Sequence, residues 1–470
     1  MINSADITRL NNKEVLKLYK NYVNPQQAKL YAGLSMLNEV VVSAEGVKIQ
    51  LDSGREIIDF TGGLGVLNHG HNHPKILEAR IKFQEEKRME VTKVYLSPYV
   101  AALSSNIAEL FPGDLNISYF CNSGSEAIEG ALKMSHKSFS GTRNKVLSSD
   151  RSFHGKTLGA LSISNASENT YEFPKLLESI PYKFNDIEDL ERSVVSSIKE
   201  NGESDVFALL IEPFSASSFS ENENNFLKKA RDLSHKYGFP LIFDEIYTGF
   251  FKTGPLFNFM RSDIIPDIVV YSKSFGGGKS SISGFTSTKK LFNGAYGNLD
   301  DALMHSTTYN AFGEETYTAI VAIEIAIEEN FQKKSNNIGE ILTNELEMIK
   351  KDHPILDSYS GAGCLFGLKF NLDDLYGRIE KIVNTSGKKF IEKVYIVALI
   401  DYLYKEHNYL TYFTDNQGIN LGIGPSPLAE EADVKGFSSA LRSTLEQNQI
   451  KLVTNFVTKK GLGNLKLLIE

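Results

Sequence analysis

The sequence predicts an α/β fold with a large domain on a mostly parallel sheet and a smaller α+β domain. Between about residues 75 and 330, apolar runs of strand length alternate with helical patterns, as in sheets covered by helices on both faces. The 470 residues exceed what one hydrophobic core normally holds. We therefore expect an N-terminal segment at 1–74, a large domain at 75–330 and a C-terminal segment at 331–470, the two outer segments sharing the smaller domain.

The N-terminal segment is expected to hold helices and then a β meander. The helices of residues 1–35 are interrupted at Asn24-Pro25, since proline ends a helix at the preceding residue. Residues 39–60 alternate apolar and polar positions, with turn signals at Glu45-Gly46 and Ser53-Gly54.

The large domain shows five apolar runs that predict strands, separated by helical patterns. The predicted strands are 117–121, 145–149, 207–211, 241–244 and 268–271. Residues 125–138 and 225–237 have helical spacing. A long polar helix is expected over 314–352, and the polar stretch 372–390 is expected to be an insertion or a surface excursion.

Composition excludes several classes of protein. The chain is 41% apolar and 23% charged, with a net charge of −8 and scattered basic residues, so no nucleic-acid partner is expected. No run approaches the roughly 18 apolar residues of a membrane span, and the first residues lack the apolar core of a signal peptide. The two cysteines, Cys121 and Cys364, argue against a disulfide framework or a cysteine-based metal cluster. We therefore expect a cytoplasmic protein.

The segment CNSGSEAIEGALK at 121–133 predicts a phosphate site. A strand ends at Cys121, and a helix begins after the turn Asn122-Ser123-Gly124-Ser125. Glycine lets the backbone approach a ligand closely, and the N–H groups of a first helical turn bind anions. An ordinary serine helix cap is the alternative for this motif alone.

Two further strands end in carboxylates, Glu212 and Asp244, at the sheet edge where α/β proteins bind ligands. A buried carboxylate needs a cationic or hydrogen-bonding partner, so a structural ion pair is the alternative for Asp244. A metal site formed with Glu245 is disfavoured, because adjacent strand residues point to opposite faces. No metal ion is therefore expected.

A single lysine, Lys273, follows the strand 268–271 and precedes Gly276-Gly277-Gly278. Burial lowers the pKa of a lysine, and a neutral amine attacks carbonyl groups. A Walker-type phosphate loop is disfavoured because its glycines precede its lysine. Glycines after Lys273 instead let the chain turn away and leave room for a flat ligand.

One cofactor, pyridoxal phosphate, requires all these features together. It needs a phosphate cup, a carboxylate that keeps its pyridine nitrogen protonated and a lysine that forms a Schiff base. An aromatic face to stack on the ring is offered by Phe153 in SFHGKTLGALS.

With these motifs, the chain resembles the class III (ω-amino acid) aminotransferases of pyridoxal-phosphate fold type I. The resemblance covers most of the chain, and the spacing between Asp244 and Lys273 is typical of the family. The motifs that carry it, in family order, are FTGGLGVLNHGHNHP (60–74), FCNSGSEAIEGALK (120–133), FHGKTLGALS (153–162), IEP (211–213), DEIYTGFFKTGPLF (244–257), PDIVVYSKSFGGG (266–278) and HSTTY (305–309).

The resemblance implies two catalytic residues and a shell around the cofactor. Lys273 would form the Schiff base and move the proton between substrate carbon and cofactor, and Asp244 would pair with the pyridine nitrogen. The rest of the implied shell is Ser123, Gly124, Ser125, Phe153, His154, Glu212, Ile246, Tyr247 and Thr308.

Within this shell, Gly124 and Ser125 match the family's phosphate cup, whereas Ser123 matches nothing unique. Phe153 would stack on one ring face with His154 beside it, Ile246 would lie against the other face, and Glu212 would sit near the ring. Thr308 would reach the phosphate of the neighbouring subunit. The family's homodimer with shared active sites would then be the smallest active unit.

The sequence departs from the family pattern in the substrate pocket. Many members hold the α-carboxylate of 2-oxoglutarate with an arginine near the C-terminus, but residues 419–428 (INLGIGPSPL) contain none. The glutamate that often pairs with that arginine is replaced at about Ser217. Leu64 stands where some members have a carboxylate-binding tyrosine, and Tyr247 replaces the usual glutamine. Tyr95 is expected in the substrate pocket with Leu64 and Ser217.

These observations predict a transaminase that exchanges an amino group between an amine or amino acid donor and an aldehyde or ketone acceptor. One hypothesis is a substrate with an apolar or neutral far end, such as a fatty or polyketide aldehyde, a diamine or an amino sugar. The other keeps 2-oxoglutarate or glutamate, held by a different cation. An aminomutase or racemase is the alternative on the same scaffold. A non-catalytic binding protein is disfavoured while Lys273, Asp244 and the phosphate cup persist.

Overall fold

A computed structural model describes residues 1–32, 39–91, 94–165, 173–310, 312–383, 387–415 and 418–460. The strands are β1 Val41–Glu45, β2 Lys48–Leu51, β3 Glu56–Asp59, β4 Leu115–Cys121, β5 Lys145–Ser149, β6 Glu178–Tyr182, β7 Val206–Ile211, β8 Phe214–Ser215, β9 Ser220–Glu221, β10 Leu241–Asp244, β11 Ile268–Tyr271, β12 Ser283–Thr288, β13 Leu356–Ala362, β14 Leu365–Phe370, β15 Tyr409–Leu410, β16 Tyr412–Thr414 and β17 Asn420–Ile423.

Helices precede, separate and follow these strands. They are α1 Ser4–Ile7, α2 Asn12–Leu18, α3 Pro25–Ala32, α4 Gly62–Gly65, α5 Pro74–Glu85, α6 Pro98–Leu110, α7 Gly124–Lys137, α8 Leu158–Ser162, α9 Ile187–Val195, α10 Asn224–Tyr237, α11 Lys289–Tyr296, α12 Gly313–Glu328, α13 Phe331–Asp352, α14 Tyr376–Val383, α15 Lys388–His407, α16 Glu431–Glu446 and α17 Gln449–Lys460. None of the helices in the described ranges is long and apolar enough to cross a membrane.

The large sheet has the strand order β4-β12-β11-β10-β7-β5-β6. Strand β12 is antiparallel to both of its neighbours, and the other pairs whose register is defined are parallel. Strands β7, β10 and β11 are buried along their whole length, as expected where helices cover both faces. The predicted α/β class with a mostly parallel sheet is confirmed.

The neighbouring strands β7, β10 and β11 determine where the site lies. Phe243 of β10 pairs with Ile211 of β7 on one side and with Val269 of β11 on the other. Because the three strands are parallel, their carboxyl ends meet at one edge of the sheet. The bounds of β5, β10 and β11 are those predicted, and β4 and β7 begin at Leu115 and Val206.

Separate hydrophobic clusters cover the two faces of the sheet. Ile242 and Val270 pack in a cluster with residues of α7, whereas Phe243 and Val269 pack in a second cluster with residues of α6 and α12. The alternation follows from the two-residue period of a strand. Asp244 therefore continues the face of Ile242, toward α7.

A third cluster fills the C-terminal part of the chain. The sheet β13-β14-β17-β16 is antiparallel, and α13, α15, α16 and α17 contribute side chains to the same cluster. Phe60 joins this cluster, and β3 pairs in parallel with β15. The N- and C-terminal parts thus share a sheet, while the boundaries 1–74, 75–330 and 331–470 remain a prediction.

The predicted N-terminal elements are present. The turns of the β meander lie between β1 and β2 and between β2 and β3. The interruption at Asn24-Pro25 follows a π-helical turn at Tyr19–Val23, and Asn24 is extended. Residues 33–35 of the predicted helical region lie outside the described ranges.

The single helix predicted over 314–352 is wrong, because α12 ends at Glu328 and α13 begins at Phe331. Asn330 adopts a left-handed backbone conformation with φ 52°, which interrupts helical hydrogen bonding. Its side-chain oxygen accepts a bond of 3.2 Å from the backbone N–H of Lys333 and caps the second helix.

The stretch 372–390 is also more structured than an insertion or surface excursion. It contains α14 and the first residues of α15. Ile379 and Val383 are buried in the C-terminal cluster against α15 and α17. The polar residues of α14 lie on the outer face of this amphipathic helix, whose buried face belongs to the core, and residues 384–386 lie outside the described ranges.

Candidate active site

The site begins at Lys273, which follows β11 at the carboxyl edge of the large sheet. Lys273 has φ 47°, in the left-handed region that non-glycine residues rarely adopt. Gly277 has φ 60°, and a Cβ atom there would lie 2.5 Å from Ile76 Cδ1. The chain therefore turns away against α5 directly after the lysine, which is the glycine role expected from the sequence.

The amine of Lys273 rests on an aromatic ring. Its Nζ lies 3.6 Å from the centroid of the Tyr247 ring. Burial lowers the pKa of Lys273 to about 7, with a smaller lowering contribution from Lys252, while the Asp244 and Glu212 carboxylates oppose the change. The amine therefore loses its proton more readily than that of an exposed lysine, and the neutral form is a nucleophile.

Asp244 is 5% exposed, and both of its carboxylate oxygens are engaged. Oδ2 lies 2.7 Å from Nδ1 of the buried His154, and Oδ1 accepts a bond of 3.0 Å from the backbone N–H of Ile246. The predicted residues Asp244, His154 and Ile246 are thus brought together. Nε2 of His154 is buried and has no hydrogen-bond partner among the described residues.

Glu245 points to the opposite face. It is fully buried and accepts bonds from Thr248 Oγ1 and from the backbone N–H groups of Asn258 and Phe259, the latter two at 3.0 and 2.7 Å. Burial raises the pKa of Glu245 to about 7. No cluster of three or more metal-ligating side chains is found in the described ranges.

Glu212 lies beside the Asp244–His154 pair. Burial raises the pKa of Glu212 to about 7, and the Asp244 carboxylate adds to this, while His154 acts in the opposite direction. The backbone N–H of Phe153 donates to Glu212 Oε2 at 3.2 Å. The loop that carries Phe153 and His154 is therefore held between the ends of β7 and β10, with the Phe153 ring 41% exposed.

The start of α7 forms a narrow cup. The Ser123 hydroxyl accepts a bond of 3.3 Å from Glu126 N–H and lies 3.2 Å from Glu126 Oε2, so it caps the helix. Gly124 and Ser125 follow in the first turn, where backbone N–H groups have no acceptor within a helix. A Cβ atom on Gly124 would lie 2.9 Å from Ile246 Cδ1. This cup therefore adjoins Asp244.

A second glycine closes the cup from the Phe153 loop. Gly155 has φ 131°, a conformation that favours glycine, and a Cβ atom there would overlap Ser125 Oγ. Position 155 therefore requires glycine, because any larger residue would displace the Ser125 hydroxyl.

The residues predicted for the substrate pocket have different surroundings. Leu64 is 54% exposed and precedes Gly65, where a Cβ atom would lie 3.2 Å from the Tyr247 ring and 3.3 Å from Lys273 Cδ. Ser217 is buried, with its hydroxyl 3.1 Å from Ser215 Oγ and 3.2 Å from the Arg151 carbonyl. Gly65, rather than Leu64, thus lies against Lys273, and the Ser217 hydroxyl is already engaged.

Tyr95 and Thr308 lie in exposed segments. Tyr95 is 70% exposed, and Thr308 is also exposed. The carbonyl of the next residue, Tyr309, accepts a bond of 3.4 Å from Asn122 Nδ2, so this segment passes beside the turn that leads into α7. No contact between either residue and Lys273 is found within the described ranges.

Two residues of the site were not predicted. The Tyr412 hydroxyl lies 2.7 Å from the Tyr247 hydroxyl, although the two residues are 165 positions apart. Lys252 is fully buried, and its Nζ donates to the carbonyls of Gly424 and Pro425, each at 3.1 Å. A lone lysine within the apolar run of DEIYTGFFKTGPLF was a signal for Lys252, whereas no local pattern indicates Tyr412.

Comparison with known proteins points to one family. The family model described as "Aminotransferase class-III" matches residues 32–392.

Solved structures of transaminases have the same fold at low sequence identity. An ornithine aminotransferase from Toxoplasma gondii ME49 is 19% identical with a TM-score of 0.78, and 95% of this chain and 98% of that chain are covered. A transaminase from the marine bacterium Virgibacillus is 18% identical with a TM-score of 0.77, covering 89% and 94%. An (S)-enantioselective ω-transaminase from Thermomicrobium roseum is 21% identical with a TM-score of 0.76, covering 93% and 98%.

Proposed function

The chain belongs to the class-III aminotransferase family and is a pyridoxal-phosphate-dependent transaminase, and we propose that one of its substrates has an apolar or neutral far end. The reaction would move an amino group between an amine or amino acid donor and an aldehyde or ketone acceptor. The observation that carries the reaction is the buried Lys273 amine, whose pKa burial lowers to about 7, at the sheet edge that also holds the buried Asp244–His154 pair. The proposed far end rests on the uncharged phenols of Tyr247 and Tyr412 described below.

The residues at the sheet edge fit the cofactor. The cup at Gly124 and Ser125 offers backbone N–H groups to a phosphate. Because Gly155 has no Cβ atom, the Ser125 hydroxyl keeps its position in this cup. Asp244 offers a buried carboxylate to the pyridine nitrogen, and Lys273 offers its amine to the aldehyde. Phe153 and Ile246 would hold the two ring faces.

Pyridoxal phosphate supplies an aldehyde and a ring that accepts the electron pair left on the substrate carbon. The residues of the chain supply the proton chemistry. With its pKa near 7, Lys273 Nζ takes a proton from the substrate carbon and returns it at neutral pH. Asp244, fixed by two hydrogen bonds, keeps its negative charge in place without reorganisation during the reaction.

Neutral groups support a substrate without a distal carboxylate. Burial raises the pKa of Tyr247 to about 12 and also raises that of Tyr412, so both phenols stay uncharged at neutral pH. Tyr412 packs toward Phe219, with ring centroids 6.3 Å apart. In the segment 419–428, the carbonyls of residues 424 and 425 face Lys252.

A donor panel tests the proposal. The purified holoenzyme is mixed with single amines, without an acceptor, and the visible band of the lysine-bound cofactor is followed. We expect the band to disappear with an alkyl amine, whose far end carries no charge. Loss of the band with glutamate but with none of the alkyl amines would refute the proposed apolar or neutral far end of the substrate. Inversion of a chiral amine without loss of the band would instead indicate an isomerase.

We further propose that two copies of the chain share their active sites. Near Thr308, large apolar side chains are exposed, including Leu299 at 91%, Leu303 at 83% and Tyr309 at 58%. Exposed apolar side chains in close succession support a protein interface. Light scattering should give twice the chain mass, and Leu303→Glu should lower both the mass and the cofactor occupancy. A fully active monomer would refute the shared site.

A further inference from the structure

The resting place of the Lys273 amine is a neutral aromatic face. Nζ lies 3.6 Å from the centroid of the Tyr247 ring, well within the distance at which a ring attracts an ammonium group. The charged groups that act on this amine are Asp244 and Glu212, which favour its protonated form, and Lys252, which opposes it.

The Tyr247 ring is itself held from two sides. Its hydroxyl lies 2.7 Å from that of Tyr412 on β16, in the C-terminal sheet. Its ring edge lies so close to Gly65 that a Cβ atom there would be 3.2 Å from two ring carbons. The ring therefore has little freedom to rotate away from Lys273.

We propose that Tyr247 is a positioning residue for Lys273, whose ammonium group it holds on its ring face while the lysine is not bound to the cofactor, and that Tyr412 fixes this ring. The inference rests on the proposed function, because each turnover frees the amine when the substrate amine takes its place. Without this contact, the flexible lysine side chain would adopt other orientations between the two halves of the reaction.

The first experiment measures the amine itself in the cofactor-free full-length chain. The rate at which Lys273 is reductively methylated is followed against pH by peptide mass spectrometry, with Lys289 as the internal reference. Position 247 carries phenylalanine and then mono-, di- and trifluorinated phenylalanine, which weaken the ring's attraction for a cation while nearly keeping its size. We expect the labelling midpoint of Lys273 to fall stepwise, by about half a unit to one unit in total. A midpoint independent of fluorination would overturn the proposal.

The second experiment tests the link to Tyr412 in the holoenzyme. Tyr247→Phe, Tyr412→Phe and the double variant all remove the same hydroxyl–hydroxyl bond. We expect kcat to fall about two- to fivefold in each single variant, with KM for the donor nearly unchanged and no further loss in the double variant. Additive losses would refute the coupling between the two tyrosines.

The two proposals fail in different ways. If no amine converts the wild-type cofactor, the proposed transamination is wrong, whatever the labelling shows. If the wild type transaminates but the labelling midpoint of Lys273 does not change with fluorination at position 247, only the proposed role of Tyr247 is wrong. Thermal unfolding of each variant verifies that the chains compared are folded.

Discussion

Replacing Asp244 with asparagine tests the central electrostatic claim, because the adjacent residue supplies a matched control. Both Asp244 and Glu245 are buried carboxylates, and each accepts bonds from buried donors. They differ in the face they occupy, since Asp244 points toward α7 and His154 whereas Glu245 bonds Asn258 and Phe259. Asp244→Asn and Glu245→Gln therefore replace a buried acid with its amide on opposite sides of one strand end.

The stability change should be similar in the two variants. The two carboxylate oxygens of Asp244 accept from His154 Nδ1 and from the Ile246 N–H, whereas asparagine has only one acceptor oxygen. The amide N–H₂ of asparagine then faces one of these two donors, which stays buried and unpaired at a cost of about 1–3 kcal/mol. Glutamine at position 245 loses an acceptor in the same way, at a similar cost.

The catalytic change should differ strongly. A unit charge at roughly 3 Å, with an effective dielectric constant of about 20, is worth about 5 kcal/mol, which sets a ceiling near four powers of ten in rate. We expect Asp244→Asn to lower kcat by about 10²- to 10⁴-fold and Glu245→Gln to leave kcat per folded molecule within about threefold. Single-turnover kinetics with urea unfolding measures both quantities. Equal losses of kcat in the two variants would refute the assignment of Asp244.

Three further predictions address other residues. Lys273→Ala should abolish both the visible cofactor band and turnover, and an active variant would end the assignment of the lysine. Glu245, whose pKa rises from 4.5 to about 7 on folding, keeps a proton in the folded state that the unfolded chain has lost within this window. The contribution of Glu245 to stability should therefore fall by about 3 kcal/mol as pH rises from about 4.5 to 7, and Glu245→Gln should remove this contribution from the pH dependence measured in urea titrations. Gly155→Ala should weaken cofactor binding roughly tenfold in equilibrium titrations, because φ 131° disfavours alanine and its Cβ atom would displace the Ser125 hydroxyl.

The sequence predicts best where one strong local pattern decides the structure. Strands β10 and β11 have the predicted bounds because each is a short apolar run in the middle of the sheet. The helix over 314–352 was wrong because a single residue, Asn330, ends one helix and caps the next with no glycine or proline to mark the break. The stretch 372–390 was misjudged because Ile379 and Val383 are few among its polar residues.

The site follows the same rule. Lys273, Asp244 and Glu212 could be located because each ends an apolar strand, and adjacency of the strands brings them together. Tyr412 could not be located, since its bond to Tyr247 joins two sheets that only the folded chain brings into contact. The roles of Tyr95 and Thr308 remain predictions.

Lys252 limits which substitutions the segment 419–428 can accept. Its amine is fully buried and donates to the carbonyls of Gly424 and Pro425 in this segment, which contains no arginine. An arginine introduced there alone would be placed toward this buried lysine and would compete for the same carbonyls. Directed evolution that seeks a new carboxylate-binding arginine in this segment should therefore change position 252 first, for example by Lys252→Met.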